Sequence, residues 1–112
     1  MSDSKVIFLV GTQIDAARDE KYNEWYNSTH IPMNLKSNCI DRVTRYKLSP
    51  ESEGDYPQYI AQYEFKDRQA YDAWATGPAR EAARANTQEV WEGKGAEIKW
   101  RAVYEEIKSW SG

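Results

Sequence analysis

The run Asp19 to Pro32, DEKYNEWYNSTHIP, constrains this chain more than any other stretch, because it carries the sole histidine and the densest aromatic cluster. Counted from Tyr22, the residues Trp25, Tyr26, Thr29, His30 and Met33 fall at +3, +4, +7, +8 and +11. A helix of 3.6 residues per turn lines them up on one side. Lys21, Asn23, Glu24, Asn27 and Ser28 then form the solvated side. Asp15 or Asp19 can open the helix with acid at its positive end. Pro32, which lacks an N–H and biases Ile31 away from the α region, is expected to end it nearby. His30, a group that titrates near neutrality, therefore points where the aromatic rings point.

The flanking segments read as strands and further helices. Lys5 to Thr12, KVIFLVGT, is a β-branched apolar run bounded by Gly11, the pattern of a strand covered on both faces. Cys39 to Ser49 alternates Ile40, Arg42, Thr44, Tyr46 and Leu48 with Asp41, Val43, Arg45 and Lys47, and neither set is cleanly polar. The Pro- and Gly-bearing stretch 50–57 is a hairpin connection to a third strand, Tyr59 to Phe65. Asp67 can cap a second helix, in which Ala70, Tyr71 and Trp74 make a stripe before Gly77-Pro78. Pro78 suits the first turn of a third helix, with Ala79, Ala82, Ala83, Asn86 and Val90 on one side, and Ile98 to Ile107 is the last strand.

The order β-α-β-β-α(α)-β predicts an α+β, ferredoxin-like split βαβ domain spanning residues 1–112, with one antiparallel sheet and its helices on one face. At 112 residues a second domain does not fit. Since the strands look half-apolar on both sides, the uncovered sheet face needs a partner, and a second copy in a two-fold dimer whose two sheets pack into a barrel is the simplest one. Net charge is −3 with no basic run, which argues against nucleic acid. No apolar run precedes Lys5 and none approaches the length of a membrane span, so a soluble chain without membrane partner or export signal is expected. Cys39 is alone, leaving no disulfide framework or Cys-based zinc motif and pointing to the reducing cytoplasm.

The runs YNEWYNSTHIP, RVTRYKL and AYDAWATGPAR resemble the dimeric α+β barrel superfamily, most closely its EthD-like branch, where a helix ends in a His-x-Pro-like motif and the next strand ends in Arg-Tyr. The similarity in element order covers roughly residues 5–107. The superfamily includes muconolactone-type isomerases, aromatic polyketide cyclases, cofactor-free oxygenases of quinols and heme-degrading oxygenases, so the fold alone does not choose a reaction. The resemblance places His30 where related isomerases have a proposed acid–base histidine, and Tyr46 on a strand position facing it. The axial histidine of heme-degrading members and the strand histidines of polyketide cyclases have no counterpart here.

General acid–base work needs a group of suitable pKa within hydrogen-bond reach of substrate. His30 is the candidate base, with a structural imidazole bonded near Pro32 as the alternative; Tyr46 is the candidate donor to a carbonyl or enolate oxygen, with a core tyrosine as the alternative. Aromatics make up 13% of the chain. Tyr22, Trp25, Tyr26, Tyr63, Trp74, Trp91 and Trp100 are therefore candidate walls for a flat organic substrate, each of which can instead be plain core. Arg42 and Arg45 offer donors to a carboxylate or to an intersubunit ion pair. With one His, one Cys and no nucleotide, zinc or serine-hydrolase motif, neither metal nor cofactor is expected. The sequence thus points to a cofactor-independent enzyme performing isomerisation, cyclisation or elimination on a small aromatic or unsaturated compound. A non-catalytic small-molecule-binding or stress-related module and a cofactor-free monooxygenase are the alternatives.

Overall fold

The computed structural model describes residues 4–112; most of the stretch before Lys5, where the sequence lacks an apolar run, lies outside the described residues. Four strands, β1 (Val6–Ile14), β2 (Arg42–Lys47), β3 (Tyr59–Phe65) and β4 (Ala96–Glu105), form one antiparallel sheet in the order β2-β3-β1-β4. Among the described residues four α-helical segments accompany the sheet: α1 (Asp19–Trp25), α2 (Ile31–Leu35), α3 (Arg68–Ala75) and α4 (Pro78–Trp91). This is the ferredoxin-like α+β arrangement that the element order predicts. No helix among the described residues is long and apolar enough to cross a membrane.

Alternation along β1 sorts the two sheet faces. Val6, Phe8, Val10 and Ile14 are buried and join Ala61, Tyr63 and Phe65 of β3 in a core that also takes Tyr22, Tyr26, Trp74 and Trp91 from the helices. The strand register fixes the opposite face as three rows across the sheet. They run Arg42-Glu64-Ile7-Tyr104, Thr44-Gln62-Leu9-Ala102 and Tyr46-Ile60-Gly11-Trp100. In the last row a Cβ on Gly11 would stand 2.6 Å from Pro57 Cγ and 3.1 Å from the Trp100 ring, so only glycine lets those two side chains close over β1. The β1–β4 register shifts between Gly11 and Thr12, a bulge at that crossing.

The first helix departs from expectation at its end. α1 is entered from a 3-10 turn, Ala16–Arg18, and neither Asp15 nor Arg18 caps by a side chain; Asp19 and Glu20 supply acid to its first turn instead. The chain then runs through a π-helical turn, Tyr26–His30, directly into α2, so helical structure continues past Pro32 to Leu35. The reason is local: in the π turn Ile31 N–H bonds the carbonyl of Tyr26, five residues back. Pro32 thus falls in the first turn of a new α segment, where its missing N–H costs little. Further on, Asp67 caps α3 by accepting from Ala70 N–H at 2.9 Å, and Pro78 occupies the first turn of α4. β4 spans Ala96–Glu105, two residues earlier than the reading Ile98 to Ile107.

Candidate functional site

Between the helix layer and the sheet lies a cavity of about 290 Å³. The first helix contributes Tyr22, Trp25, Tyr26, His30 and Asn34; α3 contributes Trp74; α4 contributes Arg80, Ala83, Arg84, Thr87, Gln88 and Trp91. The sheet supplies Phe8, Val10, Thr12, Tyr63, Ile98 and Arg101, all on the helix-facing side. Of the residues singled out in the sequence, His30, Tyr22, Trp25, Tyr26, Tyr63, Trp74 and Trp91 therefore share one cavity. Most of their rings pack edge-on or tilted, as Tyr22 does on Trp91 at 5.2 Å and Trp25 on Tyr26 at 5.8 Å between centroids, while Tyr63 and Trp74 stack at 5.6 Å.

His30 sits at the end of the π turn with its ring 5.0 Å from that of Trp25 and 4.8 Å from that of Tyr26. Its Nδ1 lies 3.3 Å from Thr87 Oγ1, and Thr87 spends its own hydrogen on the carbonyl of Ala83 at 2.9 Å. A hydroxyl has one hydrogen to give, so Thr87 Oγ1 accepts from His30 Nδ1–H and the imidazole lone pair resides on Nε2. Burial, and then the positive charge of Arg45, lower the His30 pKa from 6.5 to about 4, keeping the ring neutral through the physiological range. The backbone of His30 is also held. Asn34, 2% exposed, donates from Nδ2 to the His30 carbonyl at 3.1 Å and accepts from Trp74 Nε1 at 3.0 Å. Trp25 is fixed in turn by donation from its Nε1 to Asn86 Oδ1 at 2.9 Å.

Burial raises the phenols of Tyr22, Tyr26 and Tyr63, the last to about 12, so all three stay protonated and can donate. Arg45 lies beside them. Its guanidinium stands 4.3 Å from the Tyr26 ring centroid and its Nη1 donates to Asn27 Oδ1 at 2.9 Å. Nε and Nη2 of Arg45 are buried with no partner among the described residues.

Two sequence expectations are corrected. Tyr46 does not face His30: the register pairs it with Ile60 on the opposite sheet face, where it is 51% exposed, and the alternation of β2 gives the helix side to Arg45. Trp100 is likewise no wall of this cavity, since it pairs with Gly11 on that same outer face. On α4 the stripe read from the sequence is inward in part: Ala83 is buried and lines the cavity, Asn86 accepts from Trp25 Nε1 and Val90 packs on the core. Arg80, Arg84, Thr87, Gln88 and Trp91, at spacings of 4, 7, 8 and 11, line the cavity beside Ala83, and of these the sequence reading singled out only Trp91; Ala82 is exposed and takes no part. The period was there to be read, but its charged members disguised it beside the adjacent alanines. Arg101, one strand away, had no local signal. Among the described residues no three His, Cys, Asp or Glu side chains gather to hold a metal ion.

Comparison with known proteins places these features in context. A family model described as Domain of unknown function (DUF4286) matches residues 5–105. No curated protein matches. Among solved structures, the chain is similar to a hydroxynitrile lyase from Passiflora edulis, with a TM-score of 0.73 at 10% identity over 97% of this chain and 99% of that one. It is similar also to an ethyl tert-butyl ether d (EthD) family protein from Bacillus halodurans, with a TM-score of 0.65 at 14% identity over 93% of this chain and 99% of the other. A third is a DABB family protein with a ferredoxin-like fold from Mesorhizobium loti, with a TM-score of 0.63 at 14% identity over 95% and 98% of the two chains. At these identities the likeness establishes the fold, one that hosts varied enzymes.

Proposed function

The chain belongs to the DUF4286 family, and we propose that it is a cofactor-independent enzyme of EthD-like type that moves a proton on a small aromatic or unsaturated compound. The observation that carries this reading is the Thr87–His30 pair, which leaves a neutral imidazole with its lone pair on Nε2 beside a cavity walled by rings. Nε2 takes the substrate proton; the aromatic walls hold a planar skeleton and limit water; a protonated phenol among Tyr22, Tyr26 and Tyr63 donates to the oxygen on which charge develops. The donor role expected of Tyr46 thus passes to a residue inside the cavity. Isomerisation, cyclisation and elimination all begin with this step, and the lyase among the structural relatives is in keeping with it. Cys39 as a free thiol suits a cytoplasmic location.

The test is proton exchange itself. A panel of small aromatic and unsaturated carbonyl compounds incubated in D2O and followed by mass spectrometry should show deuterium uptake with the wild-type chain. Uptake should fall by about 100-fold with His30→Ala. Equal uptake in both would remove His30 as base.

We propose further that the outer sheet face meets a second copy of the chain. Its three rows mix Ile7, Leu9, Ile60, Trp100 and Tyr104 with the neutral Thr44 and Gln62 of the middle row and with both Arg42 and Glu64, so the face is part apolar and carries both signs of charge, as suits a self-complementary two-fold contact.

A further inference from the structure

Three arginines that the acid–base reading leaves unused line the same cavity: Arg80 and Arg84, one turn apart on α4, and Arg101 on β4. Among the described residues none of the three has a carboxylate within 4.0 Å, although ion pairs form elsewhere, as between Lys5 and Glu64 or Arg68 and Glu105. Glu92 and Glu97 reach the cavity too, yet neither pairs with these cations. Arg80 is half-buried while Arg84 and Arg101 are exposed, so water screens this positive charge only in part, and two features concentrate it. Arg80 occupies the first turn of α4, after Pro78 and Ala79, where the helix dipole already presents positive charge. The three guanidinium groups also repel one another, and after burial it is Arg80 and Arg84 that depress the basicity of Arg101.

The geometry around them is organised. The Arg80 guanidinium lies 4.5 Å from the Trp74 ring centroid and 5.3 Å from that of Phe8, a cation held over the aromatic wall. Two turns beyond Arg84 on the same helix, Trp91 is 7% exposed, lines the cavity, and has an indole N–H with no partner among the described residues. Between them stands Thr87, which holds His30.

Resting on the acid–base reading above, we propose that the substrate is a planar aromatic or unsaturated carboxylate, its anionic end bound by Arg80, Arg84 and Arg101 and its ring laid along the aromatic wall toward His30. The unpaired cations then have their counter-charge, and a bidentate guanidinium–carboxylate contact fixes which carbon faces Nε2. An anion entering beside His30 also favours its protonated form, so the bound substrate itself strengthens the base that will act on it.

Isothermal titration at pH 7 with naphthalene-2-carboxylate and naphthalene-2-carboxamide, which differ in charge and little in shape, tests this directly. The carboxylate should bind about tenfold more tightly than the amide. Arg84→Gln and Arg101→Gln should each remove most of that difference while leaving amide affinity unchanged, and the retained amide binding reports that the variants fold. Equal affinity for the two probes, absence of binding by both, or a carboxylate preference that survives both substitutions would each overturn the anionic substrate. None of these results bears on deuterium exchange by His30, so the acid–base reading stands or falls separately.

Discussion

Thr87 Oγ1 stands 3.3 Å from His30 Nδ1 while its hydrogen is committed to the Ala83 carbonyl at 2.9 Å, so a side chain of α4 determines which nitrogen of the sole histidine carries the lone pair. The imidazole is oriented by a neutral acceptor, with no carboxylate behind it. Burial and then the Arg45 charge make the ring weakly basic, and the neutral acceptor does nothing to offset them, so the ring is sensitive to whatever charge enters the cavity.

Thr87→Val keeps the shape of the side chain and deletes the acceptor. Nitrogen chemical shifts of His30 should then change from a single Nδ1–H tautomer to a mixture, and exchange activity should drop by about tenfold. Thermal stability should move by no more than about 1 kcal/mol, the net worth of an ordinary hydrogen bond. An unchanged tautomer would show that another group orients the ring.

Stability should depend on acid through His30. Its pKa is about 4 in the folded chain and near 6.5 when unfolded. Between those values the unfolded state binds a proton that the native state refuses, so this contribution is intact above about pH 6.5 and is lost progressively as pH falls toward 4. That gap corresponds to roughly 3 kcal/mol. His30→Asn should remove that slope, and chemical denaturation at pH 7 and pH 5 compares the two chains. Parallel losses in both would show that the imidazole is not the titrating group.

The ferredoxin-like order was legible because each element obeys its own period, and because Asp67 and Pro78 mark helix starts whose chemistry does not depend on tertiary context. The aromatic stripe of the first helix was legible for the same reason. What could not be read was which face of a strand looks inward when both sets of residues are mixed. Tyr46 and Arg45 are equally plausible inside, and only the pairing of Tyr46 with Ile60 and of Arg45 with Ala61 separates them. Arginines read by default as solvated surface, which hid the places of Arg80, Arg84 and Arg101 in the cavity lining. The π turn was invisible too, since Pro32 carries the same signal whether it ends a helix or begins the next segment.

Arg45 should hold the His30 pKa down by its charge, but burial is the larger cause. Arg45→Met should therefore raise the measured value only part of the way from about 4 toward 6.5. Because Nε and Nη2 of Arg45 are buried without partners, the same change should leave stability equal or improved. A proton NMR titration of the single histidine reads the first effect and thermal unfolding the second.

Asn34→Leu tests the support beneath the site. It orphans the Trp74 indole N–H and removes the side-chain bond to the His30 carbonyl in a fully buried setting. The expected cost is about 2–3 kcal/mol, or a fall in Tm of about 10 °C. A smaller loss would mean that the π turn is self-supporting.

The outer sheet face yields the last prediction. Leu9 lies in the middle row, flanked by Gln62 and Ala102, and above it the row Tyr46-Ile60-Gly11-Trp100 leaves Trp100 39% and Tyr46 51% exposed in the isolated chain. A lysine at position 9 would place a charge at the centre of any two-fold contact, where desolvating it without a partner is costly. Yet it would leave the opposite face, and with it the cavity, untouched. Leu9→Lys should thus convert a dimer into a monomer with only a modest change in naphthalene-2-carboxamide affinity. Tyr46→Ala should weaken association without altering the His30 titration, since the two residues lie on opposite sides of the sheet. Sedimentation at micromolar concentration reads both. A wild-type mass near 13.0 kDa would show that the face is not covered by a second copy. A wild-type dimer should instead gain thermal stability with concentration, and the Leu9→Lys chain should not.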